Sequence, residues 1–192
     1  IFKIIGLKNA SGLGSIIGQI FGPLFRSKNI NKKNIKTGLG DLDAEKEKNI
    51  IKNMWSNIGR TFSEYMFLKY FKFNKIDSSH IKIVGIEYLE EIKKNEQPVI
   101  FYSGHFANFE LMAMEIDKFG IKCVSIYRPL NNFFLNPVME YLRMKYICPN
   151  QIPKGRMGMR EIIGKVKNGY SVALMVDQRV SEGPRELFFN KP

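Results

Sequence analysis

Cysteine, histidine and tryptophan are scarce in this sequence, with two, two and one among 192 residues. Cys123 and Cys148 have no C-x-x-C spacing and no neighbouring histidine pair, which excludes a zinc-finger-like site and a disulfide framework. Two isolated cysteines suit a reducing compartment. Long apolar runs are missing as well. The nearest, residues 16–25, is interrupted by Gly18, Gln19, Gly22 and Pro23 and falls short of the roughly 18 residues that a bilayer span needs. Acid is absent from the first forty residues, where Asp41 is the first carboxylate. There is no internal repeat and no low-complexity linker. No zinc finger, helix-turn-helix or RNA-binding aromatic motif is present, which argues against nucleic acid as a partner.

What is there is a globular composition, 44% hydrophobic and 25% charged, with thirty Lys and Arg against eighteen Asp and Glu. Such a chain is long enough for one domain with a real core. Its net charge of +12 points to an anionic partner: nucleic acid, an anionic membrane face, an acidic carrier protein or a phosphorylated substrate. A general bias towards lysine would give the same balance without any such partner. The chain opens on Ile1 and closes on Asn190-Lys191-Pro192 without a terminal helix, which suggests a piece of a longer protein.

Residues 1–40 mix Lys3, Lys8, Arg26, Lys28, Lys32, Lys33 and Lys36 with bulky apolar side chains such as Ile4, Ile16, Ile20, Phe21 and Phe25. The pattern fits a membrane-surface segment, and equally a helix packed on the rest of the domain with its lysines outward. A helix follows from Asp43, its cap, with Ile50, Ile51, Met54, Trp55, Ile58, Phe62 and Tyr65 at spacings of three and four. Thereafter strand-like runs at 81–85, 98–102, 123–127 and 171–176, with another short one at 187–189, alternate with helical patterns at 88–94, 109–119, 133–145 and 160–167. This predicts an α/β domain over 41–192 with a largely parallel or mixed central sheet and flanking helices.

The stretch P-V-I-F-Y-S-G-H-F-A-N-F-E, residues 98–110, places His105 just past an apolar strand, where open α/β sheets bind ligands. Five residues rotate a helix by about 140°, so His105 and Glu110 meet only if the histidine lies in the loop and the glutamate in the first helical turn. Gly104 permits the turn and Asn108 is placed to cap the helix. A carboxylate on one ring nitrogen would fix the tautomer and leave the other nitrogen as a base towards a substrate hydroxyl. His80 reads as an exposed loop residue. No metal or cofactor motif accompanies the pair.

S-G-H-F-A-N-F-E resembles the G-H-F-x-N-W-E block of the lipid A biosynthesis acyltransferases, the late lauroyl and myristoyl transferases of lipopolysaccharide assembly, which are related to the lysophospholipid acyltransferases. Y-R-P-L-N-N at 127–132, I-P-K-G at 152–155, Asp177-Gln178, Glu182-Gly183 and Leu187-Phe188-Phe189 resemble further blocks, as does N-I-G-R-T-F-S-E at 57–64 upstream. Phe109 stands where the family usually has tryptophan, and the closing block reads F-F-N. The resemblance implies transfer of an acyl chain from acyl carrier protein to a hydroxyl of a phosphorylated lipid A precursor, without a cofactor, at the cytoplasmic face of the inner membrane. It implies His105 and Glu110 as the catalytic pair, with Arg128, Asp177, Asn108 and Lys154 contacting substrate. The same chemistry on another glycolipid or glycerolipid, and a non-catalytic basic module on membrane or nucleic acid, are the competing readings.

Overall fold

A computed structural model of the chain describes residues 2–73 and 80–177. The strand expected at 187–189, Gln178, and Glu182-Gly183 lie outside the described residues. Four parallel strands form the sheet: β1 (Ile100–Ser103), β2 (Cys123–Tyr127), β3 (Asn150–Pro153) and β4 (Ser171–Met175), in spatial order β1-β4-β2-β3. Parallel neighbours require crossovers, and helices supply them: α6 (Glu110–Lys118) follows β1, α7 (Leu135–Tyr146) follows β2, and α8 (Arg156–Lys167) joins β3 to β4.

Alternation along each strand divides the core in two. Cys123 and Ala173 face a cluster with Phe67, Leu68, Phe71, Met114, Ile116 and Ile147, which draws on α6 and on α4 (Leu68–Lys72). Val124 and Val172 face the other way, onto Ile152 of β3 and Ile162 of α8. The sheet is therefore covered on both faces, as continuous apolar strands predict. β1 is the exception. It lies at the end of the four-strand order, with Ile100 and Tyr102 exposed.

Two strand readings change. Residues 81–85 form a loop ahead of α5 (Ile86–Asn95), with Val84 exposed. β3, written N-Q-I-P, pairs with β2 from Val124↔Asn150 to Tyr127↔Pro153 although half of its side chains are polar.

Helix α3 (Ala44–Glu64) starts where Asp43 Oδ1 accepts the Lys46 backbone N–H at 2.8 Å. The apolar stripe continues through a 3₁₀ turn at Tyr65–Phe67 into α4. Against α3 lies α1 (Phe2–Phe21), which buries Ala10, Ser11, Gly14 and Ser15. The backbones come so close that a Cβ on Gly59 would fall inside the carbonyl of Gly14. Ser15 and Ser56 hydroxyls hydrogen-bond across the interface at 2.7 Å. On the side away from α3, Ile16, Ile20 and Phe21 are exposed, and so is Ile4 ahead of a non-helical kink at Gly6. No helix among the described residues is long and apolar enough to cross a membrane. Helix α2 (Lys28–Leu39) follows, and two of its lysines are engaged: Lys32 with Glu47 at 3.5 Å and Lys36 with Asp41 at 2.8 Å.

Candidate active site at the carboxyl edge of the sheet

β1 and β4 pair with Ser103 opposite Met175, and the last rung of their ladder runs from Val176 N–H to Ser103 O at 2.9 Å. Two residues further on each strand come His105 and Asp177. Equal offsets from paired residues bring them together. Asp177 Oδ1 lies 2.7 Å from His105 Nδ1, and Asp177 Oδ2 accepts the His105 backbone N–H at 2.7 Å. One carboxylate thus fixes both the ring and the main chain of the histidine. Phe109 packs edge-on against the imidazole, with ring centroids 4.5 Å apart.

An ionised carboxylate only accepts hydrogen bonds, so Nδ1 carries the proton that it shares with Asp177. Partial burial raises the Asp177 pKa, but the backbone and side-chain hydrogen bonds from His105 outweigh it and hold the carboxyl below its ordinary value. Gly104 leaves the room this requires. A Cβ there would stand 3.1 Å from Asp177 Oδ2 and 2.7 Å from the Phe106 ring.

The expected pairing of His105 with Glu110 is therefore corrected at Nδ1, where the partner is Asp177. Helix α6 begins at Glu110 itself, with Phe109 at the N-cap and no side-chain cap, so Asn108 does not serve as the cap. Glu110 turns into the protein, 7% exposed, and its Oε1 accepts from the Tyr65 hydroxyl and from Arg143 Nε at 2.9 Å and NH2 at 2.6 Å. Burial, together with the negative charge of Glu110, pushes the Tyr65 hydroxyl pKa far up. Burial alone would lower that of Arg143, but Glu110 reverses the sign and raises it. Glu110 is thus the centre of a buried ion pair joining α6 to α7 and to the turn after α3.

The other expected residues divide. Arg128 follows β2 and Lys154 follows β3, side by side in register, with Lys154 N–H donating to Tyr127 O at 2.8 Å; both side chains are exposed. They share the carboxyl edge with His105, Arg128 standing two strands away, or about 10 Å. The loop carrying Arg128 is tied down by Leu130 N–H to Asn136 Oδ1 at 2.7 Å and by the Asn132 side chain, which accepts the Phe134 and Leu135 N–H groups. Beneath it the Tyr127 hydroxyl donates to Glu140 at 2.6 Å, and burial followed by that carboxylate pushes its pKa up to about 12. Asn108 points to α3, where its amide nitrogen donates to Glu64 Oε2 at 2.8 Å. Sequence reasoning missed Tyr65, Arg143 and Glu64 in this neighbourhood. Of these only Glu64 had left a signal, the last letter of N-I-G-R-T-F-S-E.

The site is a histidine with a fixed tautomer, backed by a carboxylate, at the carboxyl edge of an α/β sheet that also carries two exposed cations, two and three strands away. That assembly suits proton abstraction from an alcohol and stabilisation of negative charge. A family model described as bacterial lipid A biosynthesis acyltransferase matches residues 1–191. No curated protein matches the chain.

Proposed function

Since the chain belongs to the bacterial lipid A biosynthesis acyltransferase family, we propose that it moves a fatty acyl chain from an acyl carrier protein thioester onto a hydroxyl of a lipid A precursor, with His105 as base and Asp177 as its orienting carboxylate. Acyl transfer in lipid A biosynthesis follows from the family; the donor, the acceptor and the residue roles are our reading. The observation that carries it is the double hydrogen bond between Asp177 and His105.

With the Nδ1 proton held by Asp177, the imidazole lone pair lies on Nε2. Nε2 takes the proton of the acceptor hydroxyl as its oxygen attacks the thioester carbonyl carbon. Asp177 stabilises the imidazolium so formed. Collapse of the tetrahedral intermediate breaks the C–S bond, and the imidazolium returns the proton to the departing thiolate. No covalent enzyme intermediate is needed. Arg128 supplies positive charge for the oxyanion or for acceptor phosphates, and Lys154, three strands from His105, does so for the phosphates. Glu110, in this reading, supports the site through its ion pair with Arg143.

The acidic carrier and the anionic acceptor both match a chain of net charge +12. We further place the protein on the cytoplasmic face of the inner membrane, with the exposed apolar side of α1 at the bilayer surface.

The deciding experiment is a transfer assay with acyl carrier protein thioester and lipid A precursor, read by mass spectrometry. His105→Ala should lower kcat by a factor on the order of 10² to 10⁴, and Asp177→Asn should follow it, since general-base catalysis and its orientation contribute in that range. Undiminished transfer by a folded His105→Ala protein would overturn the assignment.

A further inference from the structure

The loop between β1 and α6 is held from two sides. Asp177 grips His105. On the far side, Thr61 Oγ1 shares its one proton between Ala107 O at 3.1 Å and Asn57 O of its own helix at 3.0 Å, and the firmer anchor is Asn108 Nδ2, which donates to Glu64 Oε2 at 2.8 Å. Ala107 sits between these anchors at φ 45°, the left-handed region that an L-residue adopts only when its surroundings enforce it. Asn108 Oδ1 is buried with no hydrogen-bond partner among the described residues, so the amide is oriented through its nitrogen.

Glu64 is itself held from α1. Its Oε1 accepts from the buried Ser11 hydroxyl at 2.8 Å, and Arg60 NH1 donates to Ser11 Oγ at 3.2 Å. The guanidinium occupies a lone pair of that hydroxyl, which directs the hydroxyl proton to Glu64. Ser11 reaches this position because α1 and α3 approach closely around Gly14 and Gly59. The stretch N-I-G-R-T-F-S-E acquires a physical account: Gly59 admits α1, Arg60 and Ser11 orient Glu64, and Thr61 with Glu64 anchors the histidine loop.

We propose that Ser11, Glu64 and Asn108 form a clasp through which the packing of α1 on α3 sets the position of His105, making Glu64 and Asn108 positioning residues rather than substrate contacts. The proposal rests on the reading of His105 as the base. Removal of the clasp leaves binding of substrate largely intact and releases the loop, so the loss falls on turnover and on the histidine tautomer.

The full chain, labelled with ¹⁵N-histidine, reports the ring nitrogens of His105 directly, and His105→Ala assigns its signals apart from those of His80. Glu64→Ala and Asn108→Ala should each shift the ring signals away from the Nδ1-protonated pattern. Each should also lower kcat by about tenfold or more, the scale of a small misplacement of a catalytic group, with KM within about twofold. Glu64→Gln keeps an acceptor for Asn108 and should restore both readouts to within about threefold of the parent in kcat. Asn108→Ala leaves α3 untouched and carries the test if Glu64→Ala does not fold. A wild-type ring pattern and wild-type kcat in folded Asn108→Ala would overturn the clasp. If the unaltered protein transfers no acyl group, the functional reading fails, and the ring signals of the variants still decide whether the clasp positions His105.

Discussion

Two hydrogen bonds accepted from His105 give Asp177 a measurable acid dependence. Its folded-state pKa lies below the ordinary 3.8, so it binds fewer protons folded than unfolded near that value. The stability it contributes is complete above the unfolded value and is lost as pH falls through the depressed folded one. The difference in urea midpoint between the parent and Asp177→Asn should therefore close as pH falls through and below the carboxylate range. Gly104→Ala acts on the same contact by crowding. Phe106 is exposed and can swing aside, whereas Asp177 Oδ2 is pinned by the His105 backbone. We expect a clear loss of kcat/KM with a stability change below about 1 kcal/mol, checked by transfer assay and thermal melt. At this scale His105 was legible because it follows a strand, whereas Arg128 and Lys154 came only from the resemblance of Y-R-P-L-N-N and I-P-K-G. The partner of His105 was not, since counting along the chain measures helical angles and says nothing of which strand lies beside β1.

Among the elements, the contact between α6 and α7 has the largest electrostatic consequence. Glu110 and Arg143 side chains are 8% and 14% exposed, so removing one leaves a buried charge without its counter-ion. Arg143→Met should cost about 3–5 kcal/mol, and Glu110→Leu combined with Arg143→Met should recover most of that loss. A double-mutant cycle in urea checks both. A protein that regains activity together with stability in the double variant would mark Glu110 as structural support; folded but inactive protein would return it to the chemistry. Most elements were legible from their periods: α3 with its Asp43 cap, α5, α6, α7, and strands β2 and β4. β3 escaped because half of its side chains are polar and its last residue is proline, which suits the end of a strand and hides its pairing. Residues 81–85 misled because β-branched side chains mark a strand only where a neighbour is present to pair with it.

For the molecule as a whole, α/β architecture followed from the alternation of apolar runs, but the strand order β1-β4-β2-β3 did not, because it depends on which helix covers which face. Residues 1–40 had two readings, and α1 carries features of both: a small-residue side against α3 and a bulky apolar side left open. If that open side meets the bilayer, the chain should sediment with anionic vesicles, and Ile16→Asp with Ile20→Asp should abolish this at high salt, where the attraction of the lysines is screened. Added salt should weaken the parent only in part, because Lys32 and Lys36 are already engaged with Glu47 and Asp41 and apolar burial is insensitive to screening.

The register between β1 and β4 also governs how the protein fails on heating. His105 and Asp177 each lie two residues beyond a hydrogen-bonded pair, so the ladder brings them within reach of each other and the clasp needs only to hold the loop there. Inactivation on heating should then coincide with cooperative melting of the sheet, with one midpoint by far-UV circular dichroism and by residual turnover. An earlier loss of turnover would mean that the edge frays before the strands part.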